Sequence, residues 1–110
     1  YTVPFLRVLH REIVMKPSEA MQTNRDAIRQ VVAAHHASNA RVFGSAAAGE
    51  DTENSDLDLL IDPSPNTTLL DIGAIRHELS ALLGVPVDVV TPMALPDTFR
   101  EDVLAAAVPV

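Results

Sequence analysis

The chain has 110 residues, 47% of them hydrophobic, and a formal net charge of −7 at pH 7. This length predicts one domain with one core. The excess of acidic groups argues against nucleic-acid binding through a basic surface and favours a metal-using site or a basic protein partner. The lack of cysteine excludes disulfides and thiolate metal sites and fits a cytoplasmic protein, and no apolar run approaches the ~20 residues that span a membrane.

The first segment, Tyr1 to Val14, is partly apolar without a clean period. Arg7, His10 and Arg11 interrupt it, which argues against a signal peptide. We interpret residues 1–14 as an N-terminal extension and residues 15–110 as the domain. A first helix packed on the domain is the alternative.

A helix is predicted from Ser18, a favourable N-cap residue, to about His36, with apolar contacts from Met21, Ile28, Val31 and Val32. His35 and His36 occupy adjacent helical positions, which point about 100° apart. They are therefore poorly placed to share a metal ion, and an interaction with the negative end of the helix is favoured. Asn39 is expected to end the helix.

A short strand, Arg41 to Phe43, leads into Gly44-Ser45 and then into three alanines. Glycine has no Cβ, so a phosphate could approach the Gly44 backbone closely. Ser45 adds a hydroxyl and an N–H, and the alanines favour a short helix whose free N–H groups would face an anion. Taken alone, Gly-Ser is an ordinary turn.

Asp56 and Asp58 stand at the start of a second strand-like run. Because side chains alternate across a strand, both carboxylates are predicted on one face, opposite Leu57, Leu59 and Ile61. Two like charges about 4 Å apart repel by roughly 4 kcal/mol at an effective dielectric of about 20. Mg²⁺ or Mn²⁺, which prefer oxygen ligands, would relieve that repulsion. The alternative is that the aspartates mark the solvated face of an edge strand.

A second amphipathic helix is predicted from Thr68 to Leu83, stopped by Gly84, with Leu69, Ile72, Ile75, Leu79, Leu82 and Leu83 as its apolar positions. His77 is expected on its solvent side, and a role as a catalytic base is the less favoured alternative. Before this helix, Asp62 lies about 13 Å along the strand from Asp58 and is assigned to strand termination.

Asp88 is the only charged residue in the predicted third strand, Val85 to Thr91. A lone carboxylate in an apolar strand is costly to bury without a partner, so it faces either water at an edge or a metal shared with the earlier aspartates. We favour the metal. Pro96 to Ala107 is predicted as the last helix, and the sequence leaves open whether Arg100 contacts a nucleotide or a partner. The core positions expected in this helix are Phe99, Val103, Leu104 and Ala107.

The order of helices and strands predicts an α/β (α+β) fold with a small mixed β-sheet covered by helices. Gly44-Ser45, followed after ten residues by Asp56-Leu57-Asp58, resembles the signature of the DNA polymerase β-like nucleotidyltransferase superfamily. From about Met15 to Val110 the chain is similar to its minimal nucleotidyltransferase (MNT) domains, the antitoxins of HEPN–MNT toxin–antitoxin pairs. One position departs from many relatives: Ala48 stands where they carry arginine.

The resemblance implies the minimal polymerase β-like nucleotidyltransferase fold and a two-metal mechanism. By that resemblance Gly44 and Ser45 would bind the nucleotide, and ATP would be the substrate. Asp56, Asp58 and Asp88 would be catalytic and would hold two Mg²⁺ ions, with Mn²⁺ as an alternative.

The resemblance also implies a type VII-like module in which the antitoxin transfers AMP to a tyrosine of its cognate HEPN ribonuclease toxin and silences it. Two alternatives stay open. A catalytically weak antitoxin would neutralise the toxin by binding only, as the change to Ala48 suggests. A small-molecule nucleotidyltransferase is the other, although such enzymes usually need a second domain for the acceptor. The intact Gly44-Ser45 turn and the three carboxylates favour activity.

Overall fold

The structure, a computed structural model, describes residues 15–110, so the predicted N-terminal extension lies outside the described residues. A four-stranded sheet has the order β3-β2-β1-β4 and consists of β1 (Ala37–Phe43), β2 (Leu57–Pro63), β3 (Val87–Val90) and β4 (Val108–Pro109). β1 is antiparallel to β2 and β4, whereas β2 and β3 are parallel. The predicted mixed sheet is confirmed, and β4 is an addition that the sequence did not reveal.

The described helices are α1 (Pro17–Thr23), α2 (Arg25–Ala34), α3 (Gly44–Ala48), α4 (Leu69–Leu83) and α5 (Asp97–Ala106), with a 3₁₀ turn over Pro92–Ala94. The core lies between one face of the sheet and helices α1, α2 and α4, and its fully buried members include Ile28, Val32, Val42, Leu57, Leu59, Ile61, Ile75 and Leu79. The alternation predicted for β2 therefore holds. None of the helices in residues 15–110 combines the length and the hydropathy needed to cross a bilayer.

The single helix predicted from Ser18 to His36 is wrong, because two helices meet at Asn24. The Asn24 side-chain amide donates to the Ala20 carbonyl at 2.8 Å. In a continuous helix that carbonyl would accept the Asn24 N–H, so the side chain competes with the helix. Lys16, rather than Ser18, is the N-cap residue of α1.

Ser18 is instead the partner of Asp51, a carboxylate that is 6% exposed and that sequence reasoning missed. Asp51 accepts the Ser18 N–H at 2.8 Å and the Ser18 hydroxyl at 3.0 Å. Burial by itself would raise the pKa of Asp51, but the hydrogen bonds from Ser18 outweigh it and hold the pKa below its usual value. This pair fastens α1 to the loop that follows α3.

We expect Asp51→Ala to lower the free energy of unfolding near neutral pH by about 1–3 kcal/mol, because it leaves two donors of Ser18 without their acceptor. A depressed folded-state pKa stabilises the protein above the ordinary aspartate pKa, and this contribution is lost as the pH falls through the folded-state value. Urea unfolding of both proteins at neutral pH and in strong acid measures the effect. Glu53→Ala, an exposed loop acid, is the control, and a stability difference that stays constant with pH would contradict the assignment.

His35, the C-cap residue of α2, and His36 join α2 to α4 through their side chains. His35 Nε2 hydrogen-bonds the Glu78 carboxylate, and His36 Nδ1 lies 3.3 Å from Asp71 Oδ2. The prediction for Asn39 is also wrong, because this residue lies inside β1, where the pairing with β2 is irregular.

Helix α4 has the predicted start and stop. The Thr68 side chain accepts the Asp71 N–H, the Asp71 side chain accepts the Thr68 N–H, and Gly84 ends the helix at φ 70°. Only part of the predicted apolar face reaches the core, however. Ile75, Leu79 and Leu83 are buried, whereas Leu69 is 86% exposed and Leu82 is 46% exposed.

Helix α5 contradicts the predicted core helix. None of its residues is buried in the described chain, and Phe99 and Leu104 are 45% and 37% exposed. Within residues 15–110 the core on that face of the sheet is built with residues of α1, α2 and α4 and includes none of α5. Arg100 donates hydrogen bonds to the carbonyls of Pro92 (2.8 Å) and Leu95 (2.7 Å) and so fastens α5 to the 3₁₀ turn.

Candidate active site

The residues predicted for the site come together where β1 ends and where β2 and β3 begin. Phe43, the last residue of β1, pairs with Asp58 on β2, and Asp58 pairs with Asp88 on the parallel strand β3. Asp56 directly precedes β2, and Gly44 directly follows Phe43. The strand register therefore places three carboxylates and the Gly-Ser turn at one end of the sheet.

The carboxylates also share a face. Asp58 alternates with buried Leu57 and Leu59, and Asp88 alternates with buried Val87 and Val89. Alternation turns both aspartates away from the core helices. Asp58 is half-buried whereas Asp88 is exposed, so the site is open to solvent on the side of β3.

Mutual repulsion among these carboxylates acts on the pKa of Asp58. The pKa of Asp58 is raised, first by burial and then by the negative charges of Asp88 and Asp56. No cationic group is among the causes of that shift. A bound cation is the physical means of relieving such a cluster.

Gly44 lies against Asp58. Its φ of 71° falls in the left-handed region that residues with a side chain rarely adopt. A Cβ at this position would overlap Oδ2 of Asp58 and lie 3.4 Å from its Cγ. The absence of a side chain thus lets the backbone of the turn approach the carboxylate, and a group bound at the turn would be next to Asp58.

Ser45 is the second residue of the five-residue helix α3, and within the described chain no side chain caps the start of this helix. Uncapped N–H groups in a first turn are available to an anion. The Ser45 carbonyl accepts the N–H of Glu50 at 2.9 Å and that of Gly49, which closes the turn behind the site. Ala48 is exposed and offers no charge there.

The carboxylate oxygens at this site match part of what a divalent metal ion requires. In residues 15–110 no three or more His, Cys, Asp or Glu side chains are grouped so as to hold an ion by themselves. Mg²⁺ is usually bound by one or two carboxylates, with waters and substrate phosphates supplying the remaining ligands. The hard oxygens of Asp56 and Asp58, beside a turn suited to phosphate, fit that mode of binding by Mg²⁺ or Mn²⁺.

Two other predicted residues lie outside this group. Asp62, predicted to terminate the strand, lies one residue before the end of β2 and binds Arg41 and the Asn39 amide (2.8 Å to its Nδ2). His77 is exposed on α4, which covers the opposite face of the sheet. It is therefore separated from the carboxylates.

Comparison with known proteins agrees with the fold. Residues 25–109 match the nucleotidyltransferase domain family. A protein of Methanocaldococcus jannaschii, provisionally named a protein adenylyltransferase, is 36% identical over 76 residues, which are 69% of this chain and 82% of the relative. A candidate minimal nucleotidyltransferase of known structure is 43% identical, with a TM-score of 0.77 over 84% of this chain and 95% of that chain.

A crystal structure of a toxin–antitoxin with AMP-PNP also matches, with a TM-score of 0.67 over 78% of this chain and 71% of that chain. Its sequence identity is 18%, so this likeness shows the shared fold alone.

Proposed function

Because the chain belongs to the nucleotidyltransferase domain family, we propose that it is an antitoxin that transfers AMP from ATP to a tyrosine of its cognate HEPN ribonuclease toxin. The observation that supports this most is the convergence of Asp56, Asp58 and Asp88 beside the Gly44-Ser45 turn. The M. jannaschii relative's name indicates a protein as the acceptor. The structure with AMP-PNP has the same fold and a toxin partner.

The turn and the carboxylates have separate roles in this proposal. Gly44 and Ser45 hold the triphosphate through backbone N–H groups and the Ser45 hydroxyl. Asp56, Asp58 and Asp88 would hold two Mg²⁺ ions, or Mn²⁺ in their place. The ions would neutralise the charge of the phosphates and stabilise the departing pyrophosphate. The net charge of −7 makes a nucleic-acid acceptor unfavourable and a basic protein favourable.

The transfer replaces a phosphoanhydride bond of ATP with a phosphoester bond to tyrosine. The tyrosine oxygen forms a bond to the α-phosphorus, and the bond from that phosphorus to the β-phosphate oxygen breaks, which releases pyrophosphate. Asp88 is the candidate acceptor of the hydroxyl proton, because it is exposed and lies on the edge strand β3, where a protein can reach it.

We expect Asp88→Asn to lower kcat for AMP transfer by about 100-fold or more, the usual contribution of a positioned proton acceptor. Binding of ATP should change much less, because Gly44 and Ser45 remain. The matched control is Asp62→Asn, on β2, which should lower stability by loss of the contact to Arg41 without lowering kcat. Equal losses of kcat in both variants would contradict a role for Asp88 in the reaction.

The decisive experiment is the intact mass of the cognate HEPN toxin after incubation with this protein, ATP and Mg²⁺. We expect a gain of one or more AMP units on the toxin, located to a tyrosine by peptide mapping. An ATP analogue with a methylene bridge between the α- and β-phosphates is the control, since it cannot release its α-phosphoryl group. An unmodified toxin would contradict the proposal.

A second candidate is an antitoxin that neutralises by binding only. Ala48 favours it, because this exposed position offers no cationic side chain next to the turn. The same incubation separates the two candidates: an unmodified toxin whose ribonuclease activity is nevertheless blocked in a stable complex would support binding only.

A further inference from the structure

The chain between β3 and β4 crosses the face of the sheet that bears the carboxylates. β3 and β4 are the two edge strands, so residues 91–107 must pass from one edge to the other. Leu60 is fully buried although alternation turns it away from the core helices, and Leu95 is 6% exposed. Neither belongs to the main core cluster, and the 3₁₀ turn contacts β2. The turn therefore covers Leu60, two residues from Asp58 on the same face.

Helix α5, which follows this turn, is poorly packed for a helix in a folded domain. It contains no buried residue in the described structure, and isolated helices shorter than about 12–15 residues are marginal in water. Arg100 fastens it to the preceding 3₁₀ turn through the carbonyls of Pro92 and Leu95, whereas the ion pair of Arg100 with Asp97 lies within the helix. A helix held by polar contacts, with apolar side chains left in water, has the character of a binding surface.

Successive helical residues are 100° apart, which defines the orientation of α5. Arg100 and Val103 are partly buried and face the body of the protein. Phe99 and Leu104 then lie on the two sides of the helix. The outward positions are acidic, with Glu101 and Asp102 both exposed.

We propose that the protein acceptor docks on the α5 surface, defined as Met93, Phe99, Glu101, Asp102 and Leu104. Its partner presents apolar walls to the two sides of the helix and, between them, lysine or arginine side chains that pair with the outward acids. Met93, at 80% exposure, extends the apolar area towards the 3₁₀ turn. The identification of this partner as the toxin rests on the proposed function.

The position of this surface explains why it suits an acceptor. Leu69 and Leu70 are more exposed, each at 86%, but they begin α4, which covers the opposite face of the sheet. A protein bound there would be separated from the carboxylates by the sheet. A protein bound on α5 would instead be next to the 3₁₀ turn that contacts β2, on the side of the sheet from which an acceptor hydroxyl must approach Asp58 and Asp88.

The first test is the affinity for the cognate HEPN toxin, measured by calorimetry without ATP. We expect the double variant Phe99→Ser, Leu104→Ser to bind at least about tenfold more weakly, the loss typical of a buried apolar anchor. The matched control is Leu69→Ser, Leu70→Ser, which should bind within about twofold of the wild type. Wild-type affinity in the α5 variant, or equal weakening in both variants, would overturn the proposal.

Hydrogen–deuterium exchange on the unmodified protein is the second test and needs no variant. Because α5 has few packing contacts, its amides should exchange rapidly in the free protein and slow by about tenfold or more when the toxin binds. Unchanged exchange over residues 97–106 in the complex would overturn the docking site. If the toxin binds and protects α5 but receives no AMP, docking is supported and the proposed transfer fails, so the two ideas are separable.

Discussion

Asp58→Asn is expected to abolish AMP transfer, with a loss of about 1000-fold or more in kcat, while the metal-free protein becomes more resistant to unfolding. Removal of one carboxylate from a metal-assisted site takes away several kcal/mol of transition-state stabilisation, and each 1.36 kcal/mol corresponds to about tenfold in rate. Measurement of AMP incorporated into the toxin with time gives the rate. Asp58 is the residue to change first, because it pairs with Asp88 and lies against Gly44.

The gain in stability follows from the direction of the pKa shift. The pKa of Asp58 is raised by burial and by Asp88 and Asp56, so its ionised form is disfavoured in the folded state. The destabilisation is absent below the ordinary aspartate pKa, grows as the pH rises through the folded-state pKa, and is complete above it. Asparagine has no charge to destabilise the site. The Asp58→Asn variant should therefore be more stable than the wild type near neutral pH, and the two should be equally stable in acid.

Thermal unfolding in EDTA at several pH values checks this second half of the prediction. Added Mg²⁺ should reduce the difference in unfolding temperature between the variant and the wild type, because a bound cation stabilises the wild type and not the variant. Retained transfer, or a variant less stable than the wild type in EDTA at neutral pH, would show that Asp58 is a structural residue. The double variant of Asp56 and Asp58 to asparagine should likewise lose transfer and keep the fold.

Gly44→Ala is expected to lower AMP transfer by about 100-fold or more and also to destabilise the fold. A left-handed backbone costs a residue with a side chain about 1–2 kcal/mol. The new Cβ would in addition overlap Oδ2 of Asp58. Relief of this overlap must move either the turn or the carboxylate, and displacements of about 1 Å at a reacting centre can cost about 100-fold in rate.

Gly49→Ala separates the two causes, because Gly49 has a φ of 74° but open space where a Cβ would lie. The control should lose stability through the backbone alone and keep most of its transfer activity. Urea unfolding and the transfer assay on both variants give the comparison. Equal losses of stability and activity in the two variants would mean that contact between Gly44 and Asp58 is unimportant.

Local patterns explain most of what could be predicted. Alternation in β2 placed Asp56 and Asp58 opposite the buried leucines, because a strand sends successive side chains to opposite faces whatever surrounds it. Thr68 and Gly84 marked the ends of α4, since capping depends on residues within one turn. The Gly44-Ser45 and Asp56-Leu57-Asp58 spacing indicated the family, which the comparisons confirm. The roles of these residues in transfer remain predictions.

Contacts between distant residues depend on how the elements meet in three dimensions. The pairing of Asp58 with Asp88 depends on the parallel register of β2 and β3, and no local pattern sets that register. In the sequence Asp51 is indistinguishable from an ordinary acidic residue of a surface loop. The packing of α1 nevertheless buries it and gives it Ser18 as a hydrogen-bond partner.

Helix α5 shows the same division between local pattern and packing. Its apolar residues predicted a core helix. The spacing of hydrophobic residues identifies the apolar face of a helix, but it does not show whether the fold offers a surface for that face to pack against. The sequence by itself determined the local chemistry of the turn and the aspartates. The tertiary structure alone decided which elements fill the core, and therefore that Phe99 and Leu104 remain half-exposed.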